Sequence, residues 1–266
     1  MLNINHCHII KNTYFYNFDF KNVGLNMQSL IKELQIDKKD LDIYVLMGFT
    51  PLLLSIYYYF GYGTFFKQNF EYFNTNPNGD VYAYMLQFAV FFVLMFVLPI
   101  IYLKYKMGVN LSDYGLGIGN LKSGLKLLAI CIPIIIAVLY FGTDAPDVKS
   151  EYPLAKSLHH RHELIFMYHT AYVLLYYTAW EFFFRGVLLF GLKDKFGVFN
   201  AILIQTISSC LIHLGKPAGE TIGAIFIGIL FGIFAYRTRS IWYVFILHIL
   251  MGLSTDLYII FVHGGI

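Results

Sequence analysis

The chain has 266 residues, of which 58% are apolar, 19% aromatic and only 13% charged, with a mean hydropathy of +0.61. Soluble globular chains carry about 25% charged residues, so the composition lacks the material for a polar shell and excludes an ordinary soluble fold. The formal charge of +3, with no Lys/Arg cluster interleaved with aromatics, likewise excludes nucleic acid as a partner and leaves membrane lipid as the expected surroundings. In chain order, residues 1–42 are polar and mixed in charge, and they read as a cytoplasmic tail rather than a cleaved leader. Met27 heads the start-like segment MQSLIKELQIDKKDLDI and marks a second expected start of translation, which N-terminal mass spectrometry would detect.

A helix needs about 20 predominantly apolar residues to cross the hydrocarbon core. Seven runs meet or approach that length, at 43–62, 81–103, 121–142, 164–192, 199–214, 220–236 and 241–262. The expected fold is therefore all-α, a polytopic transmembrane bundle of about seven spans, with the short fifth and sixth tilted or partly re-entrant. With the N-terminus in the cytoplasm, 13 of the 19 basic residues fall on that side: five in the tail, then Lys104, Lys106, Lys122, Lys126, Lys193, Lys195, Arg237 and Arg239. That bias sets the expected orientation. Cys7, Cys131 and Cys210 have no C-x-x-C spacing and imply neither a disulfide framework nor a thiolate metal site. The loop 143–163 holds His159, His160 and His162, which are too close in sequence to converge readily on one ion. His162-Glu163 starts an H-E-x-x-H pattern that ends instead on Phe166, so the zinc-protease signature is absent.

An ionisable side chain at the centre of a span costs about 2.5–3.5 kcal/mol on insertion scales, so such residues point to function. They are His169, Glu181 and Arg185 on the fourth run, His213 at the end of the fifth, and His248 and Asp256 on the seventh, with Glu220 beside the start of the sixth. Glu181 and Arg185 share a helix face at i and i+4, in the favourable acid-before-base order. His248 and Asp256 fall roughly 80° apart on a helix of 3.6 residues per turn, and both face the bundle. Carboxylates and histidines drawn from different helices are the parts of a buried hydrolytic site, supplying a base or metal ligands and groups for an oxyanion. No G-x-S-x-G motif supports serine chemistry.

W-E-F-F-F-R-G at 180–186, the helix ending in His213 and the last helix with His248 together resemble the CPBP family of intramembrane proteases, which includes the CAAX prenyl endopeptidases and bacterial Abi proteins. The resemblance begins at the interfacial stretch 111–125 and divides the chain into a tail (1–42), N-terminal transmembrane helices (43–110) and a protease-like domain (111–262). It implies an integral protein of the bacterial cytoplasmic membrane that cuts a peptide or membrane-protein substrate. Glu181 would take a proton from water, His213 and His248 would hold that water or bind zinc, and a histidine would stabilise the oxyanion. Three positions depart from the family's E-E-x-x-x-R, F-x-x-x-H and H-x-x-x-N motifs: Trp180 replaces the first glutamate, Ser209 the aromatic residue and Gly252 the polar one. Glu220 is the alternative base and Asp256 the alternative polar group. Two readings follow: an endopeptidase, metal-dependent or not, or a non-catalytic relative that binds a peptide or partner helix in an immunity or scaffold role.

Overall fold

The computed structural model describes residues 27–263. Residues 1–26, which include Cys7, Lys11 and Lys21 of the expected tail, lie outside the described residues. The described residues divide into two compact units, with the boundary between Leu41 and Asp42. In the first, the helix Met27–Glu33 is followed by Asp37, whose side chain accepts the Lys39 backbone N–H at 3.0 Å and caps the turn Lys38–Asp40.

Among the described residues seven apolar helices follow in sequence: α1 (Leu41–Phe60), α2 (Gly79–Lys106), α3 (Leu121–Gly142), α4 (His162–Phe196), α5 (Val198–Ile212), α6 (Ala218–Thr238) and α7 (Trp242–Val262). No strand occurs among the described residues. In lipid an unpaired backbone group costs several kcal/mol, which leaves helices as the economical solution for runs this apolar. Six of the seven are long enough to cross the membrane, and the chain is an integral membrane protein. The exception is α5, whose 15 residues rise about 22 Å against a core of about 30 Å. The sixth span is longer than the expected 220–236, at 21 residues. Pro217 precedes its first turn, and Glu220 sits where a helix N-terminus favours a carboxylate, so the polar residues there begin the helix rather than delay it.

The central element is α4, and most of its apolar window is buried, whereas α3 lies at the periphery. The 35 residues of α4 rise about 52 Å, so its ends emerge from the membrane core. Widened π-helical turns at Tyr172–Tyr177 and Phe182–Leu188 flank Thr178–Glu181, a distortion that recurs at functional sites. Aromatic packing holds α4 against α2: Phe88 stacks on Tyr172 with ring centres 4.5 Å apart, and Phe91 contacts both Tyr176 (4.5 Å) and Trp180 (5.7 Å). Gly228 and Gly232 of α6 let that backbone approach α5, where Gln205 donates to the Gly228 carbonyl at 2.9 Å. This is small-residue packing of the kind membrane helices use in place of a hydrophobic drive. The interfacial stretch before α3 is tied to the α6–α7 turn: the Asn120 N–H donates to the Thr238 carbonyl (2.7 Å), Trp242 Nε1 to Leu116 (2.9 Å) and the Tyr243 hydroxyl to Ile118 (2.9 Å).

Candidate functional site

The 3.6-residue repeat brings Glu181 and Arg185 onto one face of α4, and burial makes them pair, with Arg185 Nη1 3.4 Å from Glu181 Oε1. Glu181 is fully buried, and the same oxygen accepts His248 Nδ1 of α7 at 2.6 Å. One carboxylate thus joins the first and third motifs. Arg185 also lies over the Phe231 ring at 5.7 Å, so its cationic plane rests on an aromatic face. Glu181 Oε2 and Arg185 Nε are buried without a hydrogen-bond partner among the described residues.

The second motif reaches the site through Trp180. Its ring lies edge-on to His213 (5.1 Å, 82°) and to His248 (5.9 Å, 80°). The residue at the position of the family's first glutamate is therefore the surface that both imidazoles share. His213 caps α5, and its Nδ1 is 2.9 Å from the Ser209 carbonyl. A carbonyl can only accept, so that nitrogen carries the hydrogen and Nε2 holds a lone pair. The Glu181 carboxylate fixes His248 in the same tautomer, because it accepts from Nδ1.

Glu220 stands beside His213, with Oε1 3.9 Å from Nε2. Both of its oxygens accept from the Tyr152 hydroxyl, at 2.7 and 2.8 Å. Burial first, and then the Glu220 charge, hold the Tyr152 phenol well above its ordinary range, so it stays a donor. Lys216 donates to Glu151 and to the Tyr152 oxygen, each at 3.0 Å, which ties the loop 143–161 to the start of α6. At the far end of the same loop, Asp80 accepts the backbone N–H and the hydroxyl of Ser157.

Asp256 is elsewhere engaged. It is fully buried and pairs with His169 of α4 across 3.3 Å, while His169 Nδ1 donates to the Ile165 carbonyl. The residue expected to replace the polar group missing at 252 thus forms its own contact between α4 and α7, separate from the one between Glu181 and His248. The space beside Gly252 is filled by Tyr177: a Cβ at Gly252 would collide with the Tyr177 hydroxyl. Reading the residues singly missed Tyr177 because it is one of 22 tyrosines. The available signal was a glycine at the polar third-motif position, with an aromatic four residues before Glu181.

The histidine Nε2 atoms, each backed by an acceptor on Nδ1, have the tautomer that metal ligands use. A catalytic zinc takes three protein ligands, and among the described residues no group of three His, Cys, Asp or Glu is arranged to hold an ion. The donor set thus falls short of a zinc shell, both at His213/His248 and among the histidines of the loop 143–163.

Residues 162–254, which run from the start of α4 into α7, match the family model described as Type II CAAX prenyl endopeptidase Rce1-like. The match covers little more than a third of the chain and contains all three motifs, in agreement with the CPBP/CAAX-protease resemblance. No curated protein and no solved structure matches the chain.

Proposed function

We propose that this CAAX-protease-type membrane protein is an intramembrane endopeptidase whose working core is the pair formed by Glu181 and His248, with His213 beside it. The observation that carries the reading is the 2.6 Å contact from His248 Nδ1 to a fully buried carboxylate. That contact leaves Nε2 as a base and sets a negative charge behind the ring, the same division of labour as in carboxylate–histidine pairs of other hydrolases.

His248 Nε2 takes a proton from water, and the water oxygen adds to the scissile carbonyl carbon. The Glu181 charge stabilises the imidazolium that forms, and Arg185 keeps that carboxylate compensated while it waits. His213 Nε2 accepts a hydrogen bond from the second O–H of the water and orients it, and that hydrogen stays on the oxygen. The proton on His248 then passes to the departing amine as the C–N bond breaks, leaving an acid and an amine. Glu181 acts through His248 rather than on water directly, because one of its oxygens is already committed and the residue is fully enclosed. No step is routed through a metal. The substrate class is a peptide or membrane-protein segment reaching the site from lipid, and the proposed setting is the bacterial cytoplasmic membrane.

The test is cleavage of a peptide library by the purified protein in lipid, with and without a chelator, alongside Glu181→Gln, His213→Ala and His248→Ala. Wild type is expected to cut in both conditions, and the Glu181 and His248 variants to lose about 10²–10⁴-fold. Variants that cut as wild type does, or a wild type that binds a partner and cuts nothing, would overturn the reading.

A further inference from the structure

Glu181 and His248 leave one chemical need unmet. When water adds to the carbonyl, negative charge develops on its oxygen, and a preorganised donor aimed there is a large part of hydrolytic catalysis. Neither histidine supplies it, since both Nε2 atoms hold lone pairs in the tautomers fixed by Glu181 and by the Ser209 carbonyl. Arg185 is buried and turned to Glu181.

A donor lies one turn along the same seam. Glu181 faces His248, and four residues back on α4 Tyr177 faces Gly252, four residues on along α7. The two pairs require α4 and α7 to run antiparallel, and at 1.5 Å of rise per residue they set Tyr177 and Gly252 about 6 Å along the helix axes from Glu181 and His248. The Tyr177 and His248 rings are in contact, with centres 4.7 Å apart and planes at 64°. Tyr172 also packs against Tyr177, with ring centres 4.6 Å apart, and Tyr177 is only 3% exposed, so its direction is set by packing. Gly252 makes this approach feasible, because any side chain there would occupy the place of the hydroxyl.

We propose that Tyr177 donates its phenolic O–H to the oxyanion of the tetrahedral intermediate, and that glycine at 252 is what admits the hydroxyl. The proton stays on the tyrosine throughout. The proposal rests on the endopeptidase reading and assigns that site its oxyanion donor. Tyr177→Phe keeps the ring and removes only the hydroxyl. Its kcat is expected to fall about a hundredfold with KM unchanged, and its affinity for a phosphinate-linked peptide, which mimics the tetrahedral oxyanion, is expected to fall by a similar factor. Its unfolding midpoint in lipid should match wild type. Wild-type turnover by Tyr177→Phe, with Glu181→Gln inactive, would overturn this assignment and leave the endopeptidase reading standing. A loss that appears in KM, or in the unfolding midpoint with phosphinate affinity unchanged, would make Tyr177 a packing residue and overturn it as well. A wild type that cuts no peptide would remove both.

Discussion

Replacing Arg185 with leucine strips one of two partners from a fully buried carboxylate. The lost contact is 3.4 Å long, from Nη1 to Glu181 Oε1, and both side chains are shielded, at 3% and 0% exposure. Opposite unit charges at that distance attract by about 5 kcal/mol at an effective dielectric of about 20, and breaking a buried pair from one side costs about 3–5 kcal/mol. The 2.6 Å contact with His248 survives, so Arg185→Leu is expected at the lower end, about 3 kcal/mol. Adding Glu181→Gln leaves no charge to strand, and the double variant should recover part of the loss. SDS titration in mixed micelles of wild type, both single variants and the double variant closes the cycle. Losses that simply add, with a coupling below about 0.5 kcal/mol, would show that the two groups do not pair and would refute the electrostatic argument.

Phe88→Ala removes a ring stacked on Tyr172 and tilted against Tyr176; a loss of about 3–5 kcal/mol is expected in the same titration, since α2 would lose its grip on α4. Tyr152→Phe takes both hydroxyl hydrogen bonds from Glu220. A hydrogen bond to a charged group contributes about 1.5–3 kcal/mol, so amide exchange in the loop 143–161 should quicken while α3 is unaffected, as read by hydrogen-exchange mass spectrometry.

The helices were legible because lipid admits few alternatives. An apolar run of sufficient length must coil, and α3 coincides with its expected bounds of 121–142. The start of α6 at Ala218 lies within two residues of the expected 220, and Glu220 falls in its first turn, where a carboxylate suits a helix N-terminus. At the site, the pairing of Glu181 with Arg185 follows from spacing on one helix. That His248 meets the same carboxylate depends on how α4 and α7 cross, which single-helix periodicity does not encode. The pairing of Asp256 with His169 was hidden for the same reason, although both residues stood out as charges in lipid. Trp180 reads in sequence as a lost glutamate, and only the fold makes it the ring against which His213 and His248 both rest.

The most direct measurement is cleavage of a membrane-anchored peptide in ¹⁸O-labelled water by wild type and by His248→Ala, with the products weighed by mass spectrometry. Hydrolysis through Glu181 and His248 predicts one ¹⁸O atom in the new C-terminal carboxylate with wild type and intact peptide with the variant. Intact peptide with wild type, or equal labelled product from both proteins, would contradict it.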